Sequence, residues 1–254
     1  MTYLVDTPVI WFFVVLVFLY AAARLGQTLQ RRRPGRLIID DKDFDLVVGA
    51  TLTLLGLIIG FTFSMAVTRY DQRKNLEEAE ANAIGTAYLR ADLLPEESAS
   101  RTRELLRKYL DLRIAFYEET ATRLAAEIGQ QTASVQNEMW SVVKSAAASQ
   151  PTPPIALVVS SMNDVINAHG FTQAAWWNRI PTGAWAMMAL MAVSCNLLVG
   201  YGERRKGELF LFVLPVVISL AFFLIADLDS PRGGVIRVHP QNLLAAALSM
   251  KPPP

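Results

Sequence analysis

Four strongly apolar stretches of the chain run for seventeen residues or more without a charged side chain: Thr7–Ala23, Leu46–Thr68, Ile180–Gly202 and Leu209–Ala226. A hydrocarbon layer of about 30 Å is crossed by roughly 20 apolar residues as a helix, the only open-chain form that satisfies its own backbone in lipid. The pattern therefore predicts an all-α integral membrane protein with four transmembrane helices, the first two at about 7–24 and 46–68. No Lys or Arg precedes the first run, and Ala21-Ala22-Ala23 leads into Arg24 and the cluster Arg31-Arg32-Arg33, so it reads as a retained anchor and not a cleaved leader. Pro215 in the fourth run frees one carbonyl that neighbouring helices re-satisfy, which predicts a kink.

Between the second and third runs the period changes. Leu105, Tyr109, Leu112, Phe116, Tyr117, Ala121, Leu124 and Ile128 recur every three or four residues, which predicts one long amphipathic helix. Leu94-Pro95-Glu96-Glu97 marks its start, with proline suited to the first turn and acids to the positive end of the dipole. The alanine-rich stretch before it predicts that the second span continues beyond lipid as one helix. A shorter helix is expected around Val135–Ala148. After Gln150-Pro151-Thr152-Pro153-Pro154 another places Ile155, Val158, Val159, Met162, Val165 and Ile166 on one side and ends near His169-Gly170. The resulting organisation is a first helix pair with a basic loop (1–68), a helical bundle domain (69–179) inserted between the second and third spans, a second helix pair (180–228) and a short tail (229–254).

Composition changes this picture little. The 24 basic and 23 acidic residues give a net charge of +1 and lie almost wholly outside the spans, and residues 69–179 hold 12 basic and 14 acidic side chains. Such a surface excludes a broad nucleic-acid footprint. The single Cys195 allows no internal disulfide and no cysteine cluster. Short loops carry nine basic residues between spans one and two and between three and four, against six on the opposite side. This bias leans toward a helical domain outside the cytoplasm.

Catalytic signatures are absent: no phosphate loop, no His pair with a Glu on one helix, no G-x-S-x-G, so no enzyme, metal or cofactor is expected. His169 beside Gly170 reads as a helix cap or a surface residue, His239 likewise, and Glu77, Glu78 and Glu80 as a solvated face. The second span carries a more specific pattern. On a helical wheel Gly49, Thr53, Gly56, Leu57, Gly60, Ser64 and Thr68 share one side, small or hydroxylated for its whole length. Gly56 and Gly60 form a GxxxG, which with the polar Asn196 of the third span suggests helix packing. The competing reading is a pore lining, with Leu57 and Phe61 as its narrowing and Thr53, Gly60, Ser64 and Thr68 along it. Arg69, Tyr70, Trp176, Trp177, Asp227 and Asp229 are candidates for the membrane edge, the two aspartates for a pore mouth.

The segments Ile59-Gly60-Phe61-Thr62-Phe63-Ser64-Met65-Ala66-Val67-Thr68-Arg69-Tyr70 and Glu80-Ala81-Asn82-Ala83-Ile84-Gly85-Thr86-Ala87-Tyr88-Leu89-Arg90-Ala91-Asp92-Leu93-Leu94 resemble the bacterial membrane family called DUF4239, or bestrophin-like. The tail Asp227-Leu228-Asp229-Ser230-Pro231-Arg232-Gly233-Gly234-Val235-Ile236-Arg237-Val238 is similar to the family's C-terminal signature. A more distant resemblance is to bestrophins, through Gly60-Phe61 and Thr68-Arg69-Tyr70. It implies a homo-oligomer, a pentamer, conducting small anions, with a hydrophobic neck at Thr53, Leu57 and Phe61. Thr53 departs from the apolar pattern of that neck, and Asp71 stands where a second aromatic is usual. The same resemblance implies a cytoplasmic helical domain, against the charge bias. Two functions follow as expectations: an ion channel in the cell (inner) membrane whose second helix lines the pore, or a non-conducting scaffold or sensor whose helical domain binds a partner.

Overall fold

The computed structural model describes residues 7–32, 41–202 and 208–250. Arg33, Arg36, Arg204, Arg205 and Lys206, which carry much of the charge bias, lie outside them. The described residues form helices and no strands: α1 (Pro8–Arg32), α2 (Asp41–Arg90), a 3-10 turn (Ala91–Leu93), α3 (Glu96–Glu118), α4 (Thr122–Ser149), α5 (Pro153–Trp177), α6 (Thr182–Gly202), α7 (Glu208–Asp229) and α8 (Gln241–Ser249). Four are long and apolar enough to cross a membrane. The chain divides into two compact units, 1–69 with 179–236 and 70–178 with 237–254.

In the first unit α1 packs on α6 and α7. Paired contacts fix the directions: Trp11 meets Trp185 and Ala23 meets Gly200, whereas Phe12 meets Phe223 and Tyr20 meets Phe212. Thus α1 runs parallel to α6 and antiparallel to α7. Two glycines let the parallel pair touch backbone to backbone. A Cβ on Gly200 would lie 1.9 Å from the Ala23 carbonyl oxygen, and one on Gly26 2.1 Å from that of Leu197. No side chain fits there. Outward residues such as Val17 and Leu190, each 68% exposed, are apolar, as a surface solvated by lipid requires.

The second unit is a helical bundle around Ile84, Leu106, Tyr109, Met139, Val143, Val158, Met162, Val165 and Leu243. Its helix starts follow the sequence closely. Pro95 precedes α3, and Pro153 opens α5. Two boundaries differ from expectation. The predicted helix through Ile128 breaks at 119–121, where the Glu119 carboxylate accepts the Ala121 N–H at 2.7 Å and closes a turn. Leu124 and Ile128 therefore belong to α4, and Leu124 is exposed. The helix from Pro153 does not end at His169-Gly170 but continues to Trp177. His169 is consequently an internal residue, its ring edge-on to Tyr109 at 6.5 Å, and not a cap.

Candidate functional site

The second span is part of α2, fifty residues without a break. At about 100° per residue, Leu55, Thr62, Ala66, Arg73, Glu77, Glu80, Ile84 and Ala87 fall within roughly 40° of one line, and every one is buried. Thr53, Leu57, Gly60, Phe61, Ser64 and Thr68 lie on the opposite side, within roughly 60° of its centre. All six are exposed, Leu57 at 53% and Phe61 at 66%. The small and hydroxylated stripe is thus the side turned away from the rest of the chain. Thr53 and Thr68 donate their hydroxyl protons back to the carbonyls of Gly49 and Ser64, both at 2.9 Å. This leaves oxygen lone pairs facing outward.

A Cβ at Gly56 or Gly60 would meet nothing within 4 Å. Inside the chain, the glycine-mediated helix contact is made by Gly26 and Gly200 instead. Asn196 is fully buried, with its amide donating to the Ala192 carbonyl at 2.7 Å, so it packs within the first unit. C-terminal to the span, Asp71, Asn75, Glu78, Asn82, Thr86 and Leu89 of α2 are exposed. Between Leu46 and Arg90, Asp71 and Glu78 are the only charges within roughly 60° of the centre of the exposed side.

Glu77 and Glu80 correct the expectation of a solvated face, for only Glu78 of the three is exposed. Glu80 forms a bidentate pair with Arg113, at 2.6 Å to Nε and 3.2 Å to the terminal nitrogen. It also accepts the hydroxyls of Tyr109 at 2.9 Å and Thr172 at 3.2 Å. Burial raises the Tyr109 and Tyr117 hydroxyl pKa values and Glu80 adds to the effect, so both stay protonated. Burial works against the Arg113 cation, yet Glu80 together with Tyr109 and Tyr117 more than offsets it and the guanidinium is held charged. Glu77 accepts the backbone N–H groups of Asn242 and Leu243, both at 2.9 Å, and the Asn242 side-chain amide at 2.6 Å. It caps α8 from another helix. Sequence reasoning missed both carboxylates, although their phase on the buried line of α2 was available as a signal.

The membrane-edge candidates separate. Trp176 is buried against Phe116 and Tyr117 in the second unit, with ring centroids at 4.8 and 5.3 Å. Trp177 is 73% exposed. Tyr70 packs against the bundle core, and the Arg69 guanidinium rests 3.8 Å from the Met65 sulfur. Asp227 and Asp229 are buried, and their carboxylates accept from backbone amides. Asp227 accepts from Val235 at 2.6 Å and Ile236 at 2.8 Å, and Asp229 from Ile180 at 3.0 Å. A Cβ on Gly234 would sit 2.5 Å from the Asp227 carbonyl oxygen, so the Asp227–Ile236 signature is a closed turn that fits only glycine there. Among the described residues no group of three or more His, Cys, Asp or Glu side chains is placed to hold a metal.

Residues 17–243 match the model of the bestrophin-like domain. Among solved structures the chain is similar to a mutant of a bacterial bestrophin homologue from Klebsiella pneumoniae, at 13% identity and TM-score 0.64, covering 93% of this chain and 97% of that one. A second mutant of that homologue gives 12% identity and TM-score 0.65 over 96% and 98% of the two chains. The homologue phased on zinc gives 14% identity and TM-score 0.63 over 95% of each. No curated protein sequence matches.

Proposed function

The chain belongs to the bestrophin-like family, as a multi-pass membrane protein, and on that premise we propose that copies of it surround an ion-conducting axis lined by the exposed side of α2. The observation that carries this reading is the opposition of the two sides of α2. A helix whose buried line faces its own chain offers Thr53, Leu57, Gly60, Phe61, Ser64 and Thr68 to lipid or to an axis. Oxygen lone pairs and bare backbone along that side suit water and ions better than acyl chains. Five copies, as the likeness to bestrophins implies, would set Leu57 and Phe61 as apolar rings. The protein is then a conduit and not a catalyst.

The sign of the permeant ion is read from charge. The likeness to bestrophins implies small anions. The exposed line of α2 carries Asp71 and Glu78 and no basic residue from Leu46 to Arg90, and rings of acids favour cations. We therefore favour cations.

The test is cysteine substitution at each of the six positions in a Cys195→Ser background, in reconstituted vesicles. Thiol reagents are expected to block flux at these positions and not at Leu55 or Ala66, and Phe61→Ala is expected to raise conductance. A monomer in mild detergent that passes no ion, with or without Phe61→Ala, would overturn the proposal in favour of a non-conducting scaffold. Reversal potentials in a salt gradient decide between anions and cations. A reporter fused after Pro254 decides the side of the helical unit.

A further inference from the structure

His169 is half-buried within α5, one turn before Thr172, whose hydroxyl donates to Glu80. Its ring stands edge-on to Tyr109, which donates to the same carboxylate. The charged groups acting on it are Arg113 from α3 and Glu80 from α2. Tyr109 and Tyr117 are neutral, and the neutral Gln136 of α4 interacts with Tyr109. Three helices thus converge on one carboxylate, one guanidinium and one uncharged imidazole, which balance while the imidazole stays neutral.

We propose that His169 is a proton-operated release for the helical unit: on taking up a proton it sets a second cation beside Arg113 against the single carboxylate of Glu80, and the junction of α2, α3 and α5 loosens. The geometry leaves the new charge no second acid to pair with among the groups acting on it. The direction of its pKa agrees. Burial first, and Arg113 second, lower it to about 4, with Glu80 opposing. The unfolded chain, with a histidine near pH 6.5, binds more protons between about 6.5 and 4. Stability is therefore complete above the upper value and falls as pH drops through that window. The inference stands apart from ion conduction and concerns the helical unit alone.

The experiment is amide hydrogen exchange on the full chain in detergent between pH 7.5 and 4.5, corrected for intrinsic rates, with His169→Gln and His169→Phe beside the natural protein. Protection over 105–117 and 165–176 in the natural protein is expected to fall on the order of seventyfold on acidification, and to stay level in both variants. An equal fall in the variants would assign the effect to carboxylates and overturn the proposal. A second measurement needs no substitution. The chain has two histidines, and the His169 ring signal is expected to titrate below pH 5. A midpoint near 6.5 would overturn the proposal even if neither variant folds.

Discussion

Replacing Glu80 by Gln keeps the shape of the side chain and removes only its charge. Arg113 is then left 1% exposed with no carboxylate. Breaking a buried pair in this way costs about 3–5 kcal/mol, because the remaining cation stays dehydrated. Amide exchange over 105–113 in the full chain reads the local opening energy directly. A loss of about 3 kcal/mol accelerates exchange on the order of a hundredfold. Glu80→Met with Arg113→Met removes both charges, and most of the loss should return. Some would persist, since the Tyr109 and Thr172 hydroxyls lose their acceptor at about 1–3 kcal/mol. An exchange change under about fivefold for Glu80→Gln would refute the reasoning, for it would mean that Arg113 finds water or another acid.

Three further outcomes follow from the packing. Glu77→Ala removes three hydrogen bonds from the start of α8 and is expected to expose residues 241–249 to protease and fast exchange while the rest of the bundle stays protected. Gly200→Val puts a side chain where the Ala23 carbonyl stands and should abolish recovery of folded protein, whereas Gly60→Ala, with open space around it, should leave the yield of folded chain unchanged. Asp227→Ala leaves the Val235 and Ile236 amides without their acceptor, and should lower thermal stability by about 2 kcal/mol or more, read by scanning calorimetry in detergent.

The spans were legible because lipid tolerates no charge over some twenty residues, and Leu46–Thr68 announces itself by that rule alone. The start of α3 was equally plain from Pro95-Glu96-Glu97. The break at 119–121 was hidden because Ala121, Leu124 and Ile128 keep the apolar spacing across it, while the turn depends on a local Glu119 contact. Glu77 and Glu80 were misread for a different reason. Their partners lie 165 and 33 positions away, so nothing in the charged run of which they are part distinguishes them from Glu78. Only the phase of α2 does: a buried line drawn through Leu55, Thr62 and Ala66 passes through both acids and misses Glu78.

The cap that Glu77 places on α8 also orders events during synthesis. A ribosome adding about 5–20 residues per second needs roughly ten to thirty seconds to travel from Glu77 to Asn242. Through that interval the carboxylate waits in the nascent bundle without the amides that will hold it. A chain cut short before Asn242 lacks these amides altogether, so the Glu77 carboxylate and the part of the bundle that α8 covers stay open to water and to protease.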